Sequence, residues 1–205
     1  MTPQDTSYWQ KRKEKDEHRD WRYDTNNWIT DYEESTLHPH RRNTLAILRG
    51  LRFDSLIEIG CSVGPNLKLI SEEFPEVDLY GIDPNPDSVK RAKLFTTAQV
   101  ELGDARELWG EWDVILADAS LMYVTPEEIT EVMDRIAFSA KKAVLIIERC
   151  CESKTGEICG GVWGRDYATL LKERGFKIET LKMTPEDWPE SPNWQKFGYY
   201  ILGTK

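Results

Sequence analysis

The sequence predicts an α/β chain built on a doubly wound, mostly parallel sheet, and three observations predict it. The apolar stretch Leu56-Ile57-Glu58-Ile59 runs into Gly60-Cys61-Ser62-Val63-Gly64, after which apolar residues return at helical spacing at Leu67, Ile70 and Phe74. That order reads as strand, glycine turn and helix. A second strand, Asp78-Leu79-Tyr80-Gly81-Ile82-Asp83, ends in an acid 23 positions after Gly60, the interval at which such a sheet sets a carboxylate beside the ribose of a nucleotide held by the first turn. Ala143-Val144-Leu145-Ile146-Ile147 is a continuous apolar run, as a parallel strand covered on both faces requires.

Taken in order, the chain begins with a segment that is charged and aromatic together. Residues 1–37 interleave Tyr8, Trp9, Trp21, Tyr23, Trp28 and Tyr32 with a charged run over 10–17. Three tryptophans argue against a disordered tail, so 1–37 reads as a helical, aromatic extension, either packed on the domain edge or closing over a ligand. The remaining 38–205 reads as one domain, opening with His38, His40, Arg41 and Arg42 and an amphipathic helix through Leu45, Leu48 and Leu51.

At the glycine turn, Gly60 and Gly64 lack a Cβ, which lets backbone N–H groups approach a bulky group at the positive end of the new helix. Glu58 is an acid on an otherwise apolar strand. A buried carboxylate is costly unless partnered, so it either meets a cationic ligand or orders the turn by hydrogen bonds.

Further elements follow the second strand: a helix over about 86–94, a third strand over about 99–102 ending in Gly103-Asp104-Ala105, and a fourth over 113–118. Thr125 and Glu128 have capping-box spacing with Pro126 at the first helical position, and Ile129, Val132, Met133, Ile136, Ala137 and Ala140 form one apolar face. After the fifth strand come a helix over about 165–174 that stops at Gly175 and two β-like segments, 177–182 and 197–203. The loop between those segments holds Pro185, Trp188, Pro189, Pro192 and Trp194; its tryptophans are expected on the rim of a substrate site.

Composition narrows the partners. The chain has 27 basic and 36 acidic residues and a formal charge of −9, which disfavours counterion-driven binding to a phosphate backbone. No nucleic-acid partner is expected. Cys61, Cys150, Cys151 and Cys159 have no framework spacing, which predicts reduced thiols and a cytoplasmic setting. No apolar run approaches the roughly 20 residues of a membrane span, and Lys11-Arg12-Lys13 is not followed by a hydrophobic region, so no membrane association is expected.

Acids at the ends of three successive strands, Glu58, Asp83 and Asp104, stand along the carboxyl edge of one sheet, where open α/β folds bind ligands. Asp83 is able to accept from two ribose hydroxyls and Asp104 from an exocyclic amino group. With these residues in place, the sequence resembles the class I S-adenosylmethionine-dependent methyltransferases. Glu58-Ile59-Gly60-Cys61-Ser62-Val63-Gly64 is similar to that family's first motif, Ile82-Asp83 to its ribose acid, and Gly103-Asp104-Ala105 to its adenine-side motif. Asp113 to Tyr123 is similar to the family's fourth strand and following loop.

The resemblance covers about residues 40–205 and implies a Rossmann-like seven-stranded sheet whose last strand is antiparallel. It implies S-adenosylmethionine as cofactor and S-adenosylhomocysteine as product. Its cofactor contacts would be Glu58, Gly60, Cys61, Ser62, Gly64, Asn66, Asp83, Pro84, Asp104, Ala105, Asp118 and Ala119. Separately, Arg42 belongs to a local basic patch from His38 to Arg42 in an acidic chain, suited to meet the cofactor's carboxylate or an anionic acceptor. Asn66 and Ser62 depart from the family, standing where many members have glycine.

Two rivals share parts of the pattern. Gly60-Cys61-Ser62-Val63-Gly64 matches the hydrolase nucleophile elbow, whose histidine follows its serine, but His18, His38 and His40 all precede Ser62. A nicotinamide-binding fingerprint wants Gly-x-Gly-x-x-Gly, whereas positions 62 and 65 are Ser and Pro.

Asp118-Ala119-Ser120-Leu121-Met122-Tyr123 lacks the Asn-Pro-Pro-Tyr or Asp-Pro-Pro-Tyr of the family's nucleic-acid amino and protein-glutamine enzymes. With the acidic charge, this favours a small-molecule acceptor over a protein. Tyr123 and His40, with His38, are the candidate acid/base groups. His38-x-His40 has no third ligand at metal spacing, so no metal is expected. A methyltransferase-like subunit that binds cofactor and supports a partner protein is the reading of a different class.

Overall fold

A computed structural model of the chain describes residues 6–12 and 28–205; the Trp21 and Tyr23 of the aromatic extension lie outside them. In chain order the elements are α1 (Thr6–Lys11), α2 (Trp28–Glu34), α3 (His40–Arg49), β1 (Ser55–Ile59), α4 (Pro65–Glu73), β2 (Asp78–Asp83), α5 (Pro86–Phe95), β3 (Gln99–Leu102) and β4 (Trp112–Asp118). They continue with α6 (Ile129–Ser139), β5 (Ala140–Arg149), β6 (Glu157–Cys159), β7 (Val162–Gly164), α7 (Tyr167–Lys172), β8 (Lys177–Lys182), α8 (Pro192–Phe197) and β9 (Gly198–Thr204).

Seven strands pair in the order β3-β2-β1-β4-β5-β9-β8. β1 pairs parallel with β2 and β4, β2 with β3, and β4 with β5, whereas β9 runs antiparallel between β5 and β8. This is the Rossmann-like methyltransferase topology that the resemblance implies. The strand order reverses between β1 and β4, so their carboxyl ends flank the crevice where such sheets hold ligands.

Side-chain alternation divides the core into two layers. Ile57, Ile59, Ile115, Ala117, Val144 and Ile146 face α6 and α7 through Ile129, Val132, Ile136 and Leu171. Leu56, Val114, Leu116, Leu145 and Ile147 face α3 and α4 through Leu48, Leu67 and Ile70. Full burial of each such side chain contributes about 1.5–3 kcal/mol, and truncating one of the fully buried leucines to alanine costs about 2–5 kcal/mol. Glu58 shares the second face, which is why its carboxylate arrives at the start of α4.

Several local expectations are corrected. The helix after Thr125 starts at Ile129, with Glu128 at its N-cap and no side-chain cap. Thr125 Oγ1 meets the Glu128 carboxylate rather than a backbone N–H, because Arg106 Nη1 holds Glu128 Oε1 at 2.6 Å. A capping box forms instead at Asp104 and Glu107. The helix expected over 165–174 is shorter, since Asp166 caps it through Thr169 N and Arg165 is fully buried before it. β5 extends to Arg149, and the β6–β7 hairpin and α8 are additions to the sequence reading. No helix among the described residues is long and apolar enough to cross a membrane, and all four cysteines are free.

Candidate active site

The glycine turn is held from the neighbouring strand. Gly60 N and Cys61 N donate to Ile82 O at 2.8 and 3.0 Å, while Gly60, Ser62 and Gly64 have φ of 72°, 50° and 86°. At Gly60 the left-handed backbone and a close approach coincide, because a Cβ there would stand 2.4 Å from Ser120 Cβ. Ser62 N donates to Asp83 Oδ2 at 2.8 Å and Asn85 N to Asp83 Oδ1 at 2.9 Å. Burial pushes the Asp83 carboxyl up to about 6, against the opposing pull of these two N–H groups. Asp83 therefore shapes the turn as well as standing at the ligand edge, a role the sequence reading did not assign to it.

A second cluster centres on Asn66, in the first turn of α4. Its Nδ2 donates to Glu58 Oε1 at 2.7 Å and Asp118 Oδ2 at 2.9 Å, and its Oδ1 accepts from Arg41 Nη1 at 2.6 Å. Arg41 Nη1 also reaches Asp118 Oδ2 at 3.0 Å. Burial pushes Glu58 up to about 8. Asp118 is equally buried, yet His40 and Arg41 beside it hold its carboxyl well below the usual range. One oxygen of each acid, Glu58 Oε2 and Asp118 Oδ1, is buried with no hydrogen-bond partner among the described residues.

His40 Nε2 lies 2.9 Å from Asp118 Oδ2 and its Nδ1 lies 2.5 Å from His38 Nδ1. His38 Nε2 continues to Glu190 at 3.1 Å. Burial lowers His40 to about 4, so its ring is neutral at pH 7, and Arg41 Nη1 lies 3.2 Å from the same Nε2. The ring stacks on Trp188 at 4.4 Å, and Trp188 stacks on buried Trp194 at 4.2 Å. The loop tryptophans are thus brought beside the cluster. Arg42, expected toward the cofactor, is exposed, and Arg41 takes the buried position. Successive helix residues point about 100° apart, so only one of the pair faces the sheet.

Across β2 and β3, Asp104 caps the turn after β3 and is gripped by Arg106 through Nε at 3.0 Å and Nη2 at 2.5 Å; Ala105 is buried behind it. A cleft of about 400 Å³ opens here, lined by Gln10, Pro84, Leu102, Asp104 and Glu107. Gln10 belongs to α1, which lies over the strand ends. Asn85 Nδ2 donates to Trp9 O at 2.7 Å and Arg12 O at 2.6 Å, and Trp9 packs edge-on against Tyr123 at 5.0 Å. Ala119, with φ 54°, turns the chain after β4. Glu148 at the end of β5 then accepts from Ser120 N and Leu121 N at 2.7 and 2.6 Å. Asn85 and Glu148 take buried hydrogen-bonding places to which the sequence reading gave no role, while Arg41 lies within the basic patch from His38 to Arg42 that it singled out.

This assembly defines a class: an α/β fold with a glycine turn, strand-end acids and a cleft at the carboxyl edge of its sheet. Residues 56–142, less than half of the chain, match the family described as methyltransferase domain. A curated relative, trans-aconitate 2-methyltransferase of Deinococcus radiodurans, is 22% identical over 85 residues, 40% of this chain and 33% of that protein. The chain thus matches about a third of the curated relative's length. Among solved structures, magnesium protoporphyrin IX methyltransferase from Synechocystis PCC 6803 with bound S-adenosylhomocysteine is similar, with a TM-score of 0.66 at 13% identity over 87% of this chain and 88% of that one. The plantazolicin methyltransferase BpumL, in complex with a desmethylplantazolicin analogue and S-adenosylhomocysteine, gives 0.60 at 16% over 87% and 90%. A complex of the Haloferax volcanii Trm112 methyltransferase activator and a putative methyltransferase gives 0.66 at 15% over 86% and 93%.

Proposed function

We propose that the protein transfers a methyl group from S-adenosylmethionine to a small-molecule acceptor by in-line displacement. The observation that carries this reading is the pair of buried, unpartnered oxygens, Glu58 Oε2 and Asp118 Oδ1, at the carboxyl ends of adjacent strands beside the glycine turn. Unsatisfied buried oxygens are expensive, and a cation with an apolar body would satisfy ionised Asp118 directly and draw the proton from Glu58. Asp83 and Pro84 would hold the ribose side, Asp104 and Ala105 the adenine side, and Gly60, Cys61, Ser62, Gly64, Asn66, Asp118 and Ala119 the methionine side. Arg41, in place of Arg42, would take the carboxylate. Bound there, the cofactor supplies an electrophilic methyl on a sulfonium.

The chain's own part is positioning and the exclusion of water. α1, held by Asn85 and packed on Tyr123, is the cover over the strand ends, with residues 1–37 as a lid. Tyr123 stands at the boundary between the cover and the acceptor side. His40 is a positioning residue, since both ring nitrogens and one face are engaged. Its contacts also link Asp118, through His38, to exposed Glu190. The small-molecule reading draws on the acidic charge and on two of the similar structures, one named for a porphyrin and one for plantazolicin. Reduced thiols agree with a cytoplasmic setting. Calorimetry with S-adenosylmethionine and S-adenosylhomocysteine, then an acceptor screen that reads by-product release, tests the proposal. Binding with turnover supports it; binding without turnover on any small molecule favours the partner-subunit reading.

A further inference from the structure

Three of the four cysteines gather beyond the end of β5, where methyl transfer uses none of them. Cys150 and Cys151 follow β5 directly. Cys151 N donates to Arg165 O, and Arg165 N to Arg149 O, both at 3.3 Å, so the tail of β5 runs beside the residue that leaves β7. β6 and β7 form a hairpin with Cys159 opposite Val162 and Glu157 opposite Gly164. Its two-residue turn is Gly160-Gly161, with φ of 67° and 91°, the doubly left-handed turn that matches the twist of paired strands. Glu157 and Cys159, two apart, project from one face of β6.

Gly164 lies between these groups and Cys151. A Cβ at Gly164 would stand 2.7 Å from Cys159 Sγ, and the Gly164 carbonyl accepts from Cys151 Sγ at 2.8 Å. The missing side chain leaves the space in which the two sulfurs meet. Cys151 Sγ, Cys159 Sγ and a Glu157 carboxylate oxygen all lie within 4.8 Å of one another.

We propose that Cys151, Glu157 and Cys159 form a zinc site, with water in the fourth position. Sulfur ligands select soft and borderline cations and reject calcium and magnesium, and two sulfurs with one oxygen suit tetrahedral zinc. Zn–S bonds of about 2.3 Å put the sulfurs of a tetrahedron about 3.8 Å apart, within the observed spread. On binding, each thiol gives up its proton and forms a Zn–S bond, and the carboxylate adds a Zn–O bond. Zn²⁺, two thiols and one carboxylate thus become a complex of net charge −1 with two protons released.

The site would fix the loop from Cys151 to Arg165. Arg165 Nε donates to Thr155 O at 2.9 Å, its Nη1 donates to Leu121 O at 3.0 Å, and its Nη2 donates to Val124 O. Zinc would therefore stiffen the wall that supports Tyr123.

The test uses the full chain, reduced and stripped of metal, titrated with zinc chloride against a chromogenic chelator and with Co²⁺ for sulfur-to-cobalt charge-transfer absorption. One equivalent of zinc is expected, with two protons released by calorimetry in buffers of differing ionisation enthalpy. Hydrogen exchange over 151–165 should slow on binding. Cys151→Ser and Cys159→Ser should each weaken binding by more than about 100-fold and Glu157→Gln by about 10-fold, while Cys150→Ser leaves it unchanged. If a serine variant fails to fold, Glu157→Gln on the exposed strand still reads the site. Absence of zinc binding, cobalt binding without the charge-transfer band, stoichiometric binding that survives loss of both Cys151 and Cys159, or a Cys151–Cys159 disulfide in the purified protein would overturn the proposal.

Discussion

The backbone N–H of Ser62 donates to Asp83 Oδ2 at 2.8 Å, so the acid at the end of β2 and the turn after β1 form one unit. Asp83→Ala is expected to lower stability by about 2–4 kcal/mol, because the buried N–H groups of Ser62 and Asn85 lose their acceptor, and to weaken cofactor binding as well. Denaturant unfolding measures the first effect and calorimetry the second. Ser62→Ala keeps the backbone donor and should change neither by more than about 0.5 kcal/mol. Complete loss of activity in Ser62→Ala with binding preserved would instead point to the serine hydroxyl as a nucleophile.

Gly60→Ala is expected to fail for two additive reasons. The left-handed φ of 72° costs a side-chain-bearing residue about 1–2 kcal/mol, and the Cβ would collide with Ser120, an overpacking cost of about 1–3 kcal/mol. Replacing Ser120 by glycine in the same chain should recover the second part only, which a double-mutant cycle of unfolding free energies measures.

Asn85→Asp separates the cover from the core. Asn85 Oδ1 caps α5 through Asp87 N and Ser88 N, while its Nδ2 holds the Trp9 and Arg12 carbonyls. Aspartate keeps the cap and loses the donor. Hydrogen exchange over residues 6–12 should rise by about ten-fold or more, two hydrogen bonds contributing about 2 kcal/mol, with global stability within about 1 kcal/mol. Cofactor affinity should fall; unchanged affinity with faster exchange would reduce α1 to packing.

Glu148 sets a pH dependence with a defined sign. Burial pushes its carboxyl from 4.5 up to about 8, so the folded chain keeps a proton that the unfolded chain loses. Its contribution is fully present below about pH 4.5 and is lost as pH rises through about 8. Glu58, also pushed to about 8, acts in the same window. Glu148→Gln retains an acceptor for Ser120 and Leu121 and removes one titration. The slope of unfolding free energy between pH 5 and 8 should therefore become less negative by up to about 1.4 kcal/mol per pH unit.

What was legible in the sequence was local or periodic. The strand–turn–helix at Gly60, the acids at 83 and 104 and the apolar runs of the central strands each need only a short window. Pairings that close over distance were not legible. The Thr125–Glu128 spacing looked like a capping box because the competing partner of Glu128, Arg106, comes from an earlier turn. The choice between Arg41 and Arg42 depends on the phase of α3, which is fixed by His40 reaching Asp118, 78 positions away. The β6–β7 hairpin carried its signal in Gly160-Gly161, but three-residue strands are too short for alternation to register.

The central claim is that the glycine turn and the buried acids bind S-adenosylmethionine. Titration calorimetry of the full chain with S-adenosylhomocysteine, repeated on Asp83→Ala and Asn66→Ala variants of verified fold, tests it most directly. The account predicts saturable binding at one site per chain, weakened by at least about 10-fold in both variants, one hydrogen bond to a charged group being worth about 1.5–3 kcal/mol. No binding of S-adenosylhomocysteine or S-adenosylmethionine by the folded wild-type chain, or equal affinity in all three proteins, would contradict it.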